Sequence, residues 1–121
     1  MTKTNEVAWL FELELKPGCR EQFEALMPEM IDATRSNEPG CLSYQFFVND
    51  DGTVIQAYER YVDSDAALAH MGAFGQKFAG RFMELVNPRS FTVLGAPSDQ
   101  LRQAIRPIGA AVHSPVDGFS K

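Results

Sequence analysis

Basic residues are scarce in this chain. Of its 121 residues, 11 are Lys or Arg and 16 are Asp or Glu, which gives a net charge of −5 at pH 7. Proteins that bind nucleic acid replace phosphate counterions with clustered cations. Since the sequence contains no basic cluster, it argues against a nucleic-acid partner.

Cysteine and long apolar runs are scarce as well. Cys19 and Cys41 stand neither in a C-x-x-C motif nor at ligand spacing from a histidine, so the sequence predicts no metal site and favours two reduced thiols over a disulfide. No apolar stretch approaches the roughly 18–20 residues of a membrane span, and residues 1–6 lack the apolar core of a signal peptide. We therefore expect a cytoplasmic protein without membrane association.

A glycine-rich nucleotide-binding loop is also missing. Gly72, Gly75 and Gly80 do not follow a predicted strand in the G-x-G-x-x-G pattern that binds nicotinamide or flavin nucleotides. The rest of the composition, 45% hydrophobic and 22% charged, is that of an ordinary globular protein. A chain of this length fits one domain. Without such a loop, we do not expect a nicotinamide or flavin cofactor bound in that way.

The first third of the chain predicts a strand and a helix. Apolar residues alternate from Val7 to Leu15, which is typical of a strand. From Arg20 to about Ser36 they recur at three- and four-residue steps, which is typical of an amphipathic helix. Pro28 lies within this helix and should kink it.

The middle of the chain predicts a hairpin. The segment from Cys41 to Asn49 alternates again, and its pattern places Cys41 and Phe47 together on one face. The Asp51-Gly52 pair suits a tight turn, so residues 53–61 are predicted to return as an antiparallel third strand.

The next segment predicts two helices and a strand. A short helix is expected through residues 66–70, after which Gly72 and Gly75 loosen the chain. A second amphipathic helix is predicted over residues 74–85, because its aromatic residues recur at helical steps. Residues 91–94 then form a short last strand.

The order strand, helix, strand, strand, helix, strand predicts an α+β fold of the ferredoxin-like type, with two helices on one face of a four-stranded antiparallel sheet. The helices cover only one face, yet the strands carry apolar residues on both. A second copy of the sheet is the simplest cover, so we expect a homodimer. The apolar residues expected on the second face are Leu10, Phe47, and either Val54 with Tyr58 or Ile55 with Ala57.

The chain continues beyond this unit. We predict a domain over residues 1–96 and a C-terminal extension over residues 97–121, with Ser98 capping a helix through Ile105. Residues 106–121 are predicted to be irregular. This extension could pack on its own domain or on a partner.

Four short motifs stand in order within residues 5–95: Lys16-Pro17-Gly18, Glu38-Pro39-Gly40-Cys41-Leu42, Glu59-Arg60-Tyr61 and Ala67-Leu68-Ala69-His70. In this order and spacing they resemble the antibiotic biosynthesis monooxygenase domain, which is also found in quinol monooxygenases. The resemblance implies a dimeric α+β barrel and oxidation of a quinol or polyphenol by O₂ without metal or flavin. Because one fold can host many different activities, the resemblance does not by itself determine the reaction.

His70 and Glu59 are the predicted catalytic residues. A cofactor-free oxygenase must deprotonate a phenol in an apolar cavity, and histidine titrates near neutral pH. The resemblance matches His70 and Glu59 to the family's histidine and glutamate, with Glu59 orienting His70. Alternatively, His70 is a packing or capping residue and Glu59 belongs to a structural ion pair.

Aromatic side chains are expected to form the substrate pocket, although stripes at these spacings also arise from core packing alone. A related branch of the fold degrades haem, but Phe11 and His70 stand where that branch has Asn and Trp, so haem oxidation is not expected. The other hypotheses are a dimeric small-ligand-binding or stress-response protein and a purely structural dimer. The predicted substrate-binding residues are Trp9, Phe11, Tyr44, Phe46, Phe74 and Phe78.

Overall fold

The computed structural model describes residues 5–121. Within this range the strands are β1 (Val7–Leu15), β2 (Cys41–Val48), β3 (Val54–Tyr61), β4 (Val86–Gly95) and β5 (Ala111–His113). The α-helices are α1 (Arg20–Asn37), α2 (Ser64–Lys77), α3 (Ala79–Leu85) and α4 (Asp99–Ile105), and a 3₁₀ turn (Arg106–Ile108) follows α4. None of these helices is both long enough and apolar enough to span a membrane.

The strands form one sheet in the order β2-β3-β1-β4-β5. The pairings among β1 to β4 are antiparallel, which confirms the predicted ferredoxin-like βαββαβ unit. The described sheet has five strands rather than the predicted four, because β5 of the extension pairs in parallel with the outer edge of β4. This pairing covers part of an edge that would otherwise be open.

The helices cover one face of the sheet. On β3 the residues that point to the helices, Ile55, Ala57, Glu59 and Tyr61, are all buried. The open face therefore carries Val54 and Tyr58, which settles the alternative that the sequence left. Leu10 and Phe47 also lie there, with 37% and 53% of their surface exposed.

Cys41 lies on the helix side, so its predicted face was wrong. The register of β2 shifts between Cys41 and Ser43, which places Cys41 opposite the buried Tyr61. Such an irregularity changes which face a residue occupies, and period-two counting cannot detect it. Burial raises the pKa of the Cys41 thiol to about 11, and the charges of Glu59 and Glu38 contribute. Cys19 and Cys41 are both free thiols.

The predicted break at Gly72 and Gly75 was also misplaced. α2 continues through both glycines and ends at Lys77, and Phe78 separates it from α3. A glycine in a helix costs about 0.5–1 kcal/mol, which a well-packed helix tolerates.

The last strand is longer than predicted: β4 includes Pro88, beside a register shift and far from the residues that pair with β5. Pro88 is paired with Leu13 of β1 at this irregularity and has no strand on its other side, and edges and bulges are where a sheet tolerates proline.

The extension packs on its own subunit. The Ser98 hydroxyl accepts a hydrogen bond from the Leu101 N–H at 3.1 Å and caps α4, as predicted. Leu101 and Ile105 are buried in the same apolar cluster as Val7 and Trp9 of β1. The division at residue 96 remains a prediction about the chain, but α4 contributes to the core.

Candidate active site

A cavity of about 240 Å³ lies between the covered face of the sheet and helices α2 and α3. Most of its wall is aromatic or aliphatic, and the polar side chains at the wall are few. A pocket of this kind is the usual place for a small apolar ligand. The lining residues are Trp9, Phe11, Tyr44, Phe46, Ala57, Glu59, His70, Met71, Phe74, Phe82, Phe91 and Ile108.

Glu59 brings a carboxylate into this apolar wall. It occupies an inward position of β3, between the buried residues Ala57 and Tyr61, and only 7% of its side chain is exposed. Its Oε1 accepts a hydrogen bond of 2.5 Å from the Tyr61 hydroxyl. Buried carboxylates need such partners, because an isolated buried charge is strongly unfavourable.

His70 belongs to α2, and its side chain meets the Glu59 carboxylate at the cavity wall. The Asp63 side chain accepts a hydrogen bond from the Ala66 N–H and caps the helix. The next turn places Ala67 and His70 on the face that packs against the sheet, where both are buried. His70 Nε2 lies 3.2 Å from Glu59 Oε1, so the predicted pairing of these two side chains is present in the structure.

Glu38 holds the other nitrogen of His70, and the sequence analysis did not identify it as a site residue. Its Oε1 lies 2.9 Å from His70 Nδ1. Glu38 follows the end of α1, where its N–H donates to the Thr34 carbonyl. The turn that follows packs closely on α2, since a Cβ atom on Gly40 would lie 2.6 Å from the Ala66 Cβ.

The two carboxylates determine the charge of His70. Burial lowers the pKa of His70, but the hydrogen bonds and charges of Glu59 and Glu38 outweigh burial, so the pKa is raised above 6.5. Each ring nitrogen of His70 faces a carboxylate oxygen, an arrangement that favours the imidazolium, in which both nitrogens donate. Glu38, His70 and Glu59 therefore form a coupled acid–base group.

Two tyrosines flank this group in different ways. Burial, and then the charge of Glu59, raise the pKa of Tyr61, so its hydroxyl remains a donor to Glu59. Burial likewise raises the pKa of Tyr44, whose ring stands edge-on to His70 with centroids 5.2 Å apart. The Tyr44 hydroxyl donates to the Met30 sulfur at 3.9 Å, and Tyr44 also lines the cavity.

A second, much smaller cavity lies behind His70, on the side of Glu38. Its volume of about 20 Å³ is enough for one water molecule. Its lining is mostly apolar but includes Thr34, Glu38 and Lys77, and Tyr44, His70 and Phe74 line both cavities. His70 therefore stands between the large cavity and this small one.

The structure gathers seven of the eight predicted site residues around the large cavity; Phe78 does not line it. Phe78 sits between α2 and α3, and the Arg81 guanidinium lies over its ring at 5.7 Å. Five lining residues were not predicted as site residues: Ala57, Met71, Phe82, Phe91 and Ile108. The strand alternation could have indicated Ala57 and Phe91, the helical spacing could have indicated Phe82, and Met71 directly follows His70. Ile108 could not be found from the sequence, because its segment showed no periodic pattern.

Within residues 5–121, no group of three or more His, Cys, Asp and Glu side chains has the arrangement of a metal site.

Comparison with known proteins places the chain in a family. Residues 7–77 match the family described as antibiotic biosynthesis monooxygenase. Rv0793 of Mycobacterium tuberculosis, which carries the name "Putative monooxygenase", is 33% identical over 99 residues, covering 80% of this chain and 96% of that protein. Its solved structure superimposes with a TM-score of 0.66.

Two further solved structures share the fold at lower identity. MupZ from Pseudomonas fluorescens covers all of this chain and 93% of its own, with a TM-score of 0.90 at 24% identity. SnoaB from Streptomyces nogalater, described as a cofactor-independent oxygenase, covers 78% of this chain and 96% of its own, with a TM-score of 0.65 at 16% identity. Since the family match spans more than half of the sequence, this chain belongs to the antibiotic biosynthesis monooxygenase family.

Proposed function

We propose that this protein is a cofactor-independent monooxygenase that oxidises a small phenolic or quinol-type aromatic compound with O₂. The observation that supports this most strongly is the buried Glu59–His70 pair at the wall of an otherwise apolar aromatic cavity. Such a wall excludes water from a reactive anion, while the pair exchanges a proton with it. The family and the name of Rv0793 agree with this class of reaction.

The proposed reaction needs no electron donor besides the substrate. The Glu59–His70 pair takes the proton of the substrate hydroxyl, and the electron-rich anion reduces O₂ and binds one end of it at a ring carbon that carries hydrogen. The O–O bond then breaks, that carbon becomes a quinone carbonyl, and the second oxygen atom leaves as water. For a phenol this balances as C₆H₆O + O₂ → C₆H₄O₂ + H₂O, with all electrons supplied by the ring.

The proposed roles of Glu59 and His70 differ from the expectation that His70 is the base and Glu59 only orients it. Because the raised pKa of His70 favours its protonated form, the Glu59 carboxylate receives the substrate proton and His70 returns a proton to the departing oxygen. Glu38 keeps His70 charged and oriented from its other side. Tyr61 holds the Glu59 carboxylate in place.

The cavity suggests a compact, uncharged substrate. A cavity of about 150 Å³ accommodates benzene, so about 240 Å³ leaves room for one or two fused rings. The two carboxylates beside one imidazolium disfavour an anionic ligand. A neutral phenol or quinol that becomes an anion only after it has entered fits these conditions.

Dimerisation through the open sheet face is part of the proposal. Members of this family are commonly dimers, and Leu10 and Phe47 lie exposed on that face. Burying these side chains against a second copy would leave the cavity of each subunit on the opposite, helix-covered face. We also propose a cytoplasmic location, in keeping with the two free thiols.

Oxygen consumption tests the proposal. With a panel of phenols, naphthols and reduced quinones, we expect O₂ uptake for at least one compound, and the Glu59→Gln variant should reduce kcat by about 10²–10⁴-fold. The matched control is Glu29→Gln on α1, an exposed carboxylate that pairs with Arg81 outside the cavity. Tight binding without O₂ uptake would instead favour the ligand-binding alternative, and substrate conversion without O₂ uptake would overturn the oxygenase proposal.

A further inference from the structure

We propose that Ile108, which the C-terminal extension places over the cavity, determines the size of the aromatic ligand that the site accepts. This inference rests on the proposed function in one respect only, that the large cavity is the ligand site.

Ile108 stands at the opening of the cavity. It is the most exposed of the lining residues, with 43% of its surface accessible, whereas the others are buried or partly buried. His70 and Glu59 lie buried in the same wall. A ligand whose hydroxyl group meets Glu59 and whose far end reaches the opening would therefore contact Ile108, and the isoleucine side chain would limit its length.

The backbone that carries Ile108 is fixed at both ends. On the side of α4, Leu101 and Ile105 are buried in the core. On the other side, Val112 of β5 pairs with Val93 of β4. A short segment held by a buried helix and a paired strand presents its side chain at a defined position.

The turn after Ile108 adds to this definition. Gly109 has a left-handed backbone with φ of +81°, and its N–H donates to the Arg106 carbonyl at 3.0 Å. Residues other than glycine rarely adopt this conformation. The turn thus directs the chain from the 3₁₀ segment towards β5 directly after Ile108.

The extension is also attached to the helix that carries His70. The Ser98 N–H donates to the Ser64 hydroxyl in the first turn of α2 at 2.9 Å. The match to the family ends at residue 77, so the family pattern does not specify the residue at this part of the wall. The size limit would therefore belong to the extension rather than to the segment that matches the family.

Binding of three phenols with increasing ring number tests the inference. Phenol, 1-naphthol and 1-anthrol share one hydroxyl and differ in length, and their Kd values can be measured by titration calorimetry without turnover under argon. Relative to the wild type, Ile108→Ala should shift the Kd ratio of phenol to 1-anthrol by about 10-fold in favour of 1-anthrol. Ile108→Phe should shift the ratio in the opposite direction.

The control is Val116→Ala, an aliphatic truncation in the same extension at a residue that is 97% exposed, and it should leave the ratio unchanged. Ratios within about 2-fold of the wild type in both Ile108 variants would overturn the inference while leaving the oxygenase proposal intact. Shifted ratios without any O₂ uptake would support it and contradict the oxygenase proposal. Failure of all three phenols to bind the wild type would overturn the inference, whereas the oxygenase proposal would still be decided by O₂ uptake with the reduced quinones.

Discussion

The Nδ1 atom of His70 lies 2.9 Å from Oε1 of Glu38, a residue 32 positions earlier in the chain. This contact joins the end of α1 to the middle of α2 and completes a group in which one imidazole stands between two carboxylates. The group is buried, so its charges interact more strongly than they would in water. The proton on His70 is therefore the feature on which several predictions depend.

Glu38→Gln should lower the pKa of His70 while leaving the protein folded. The substitution keeps a hydrogen-bonding side chain of similar size but removes one of the two negative charges that raise this pKa. NMR titration of the His70 ring measures the shift, and Glu29→Gln, an exposed carboxylate on α1, serves as control. An unchanged titration in Glu38→Gln would show that Glu38 does not set the charge of His70.

The contribution of His70 to stability should decrease as the pH rises. Its pKa is higher in the folded protein than the unfolded value of 6.5, so the folded state binds the proton more tightly. The stabilisation is fully present below about pH 6.5 and is lost as the pH rises through the folded pKa. Urea unfolding of the wild type and of His70→Gln at several pH values measures this difference, which should shrink towards alkaline pH. A difference that grew with pH would have the wrong sign for a charged His70.

Gly40→Ala should destabilise the fold by about 1–3 kcal/mol, because the new methyl group would lie 2.6 Å from the Ala66 Cβ. Since this turn carries Glu38 to His70, the pKa of His70 should fall as well. Gly75→Ala in α2 is the matched control: nothing lies within 4 Å of its Cβ position, so a gain of about 0.5–1 kcal/mol is expected. Thermal unfolding compares the two, and equal effects would contradict the close packing of turn and helix.

Leu101→Ala should cost about 2–5 kcal/mol, because this side chain is fully buried in the core cluster that contains Trp9. Val116→Ala in the exposed tail should change the free energy of unfolding by less than about 0.5 kcal/mol. Urea denaturation measures both. A Leu101→Ala protein as stable as the wild type would mean that the extension is a dispensable arm rather than part of the core.

Much of the fold could be predicted because local patterns determine it. The alternation in β1 gave its bounds, Val7–Leu15, and the apolar stripe of α1 gave a helix starting at Arg20. Ser98 likewise identified the start of α4. In each of these elements the apolar residues must face the core. Their spacing along the sequence therefore shows whether the segment is a strand or a helix.

The sequence analysis missed features that arise only when distant segments meet. Glu38 reads as part of a helix-breaking cluster, and nothing local indicates that its carboxylate reaches His70. Tyr61 reads as a strand residue, although its hydroxyl donates to Glu59. Ile108 lies in a segment without periodicity, and its place at the cavity depends on the packing of α4 and β5. Tertiary contacts, rather than local preference, determine all three.

The most direct test of the oxygenase proposal is the fate of labelled O₂. The protein is supplied with ¹⁸O₂ and the phenol or reduced quinone that supports the fastest O₂ uptake, without any added reductant, and the products are analysed by mass spectrometry. Monooxygenation at this cavity predicts one ¹⁸O atom in the quinone product and the other in water, with the rate at which labelled product forms strongly reduced in Glu59→Gln. Product formed without ¹⁸O, or labelled product that forms equally fast in the wild type and in Glu59→Gln, would contradict it.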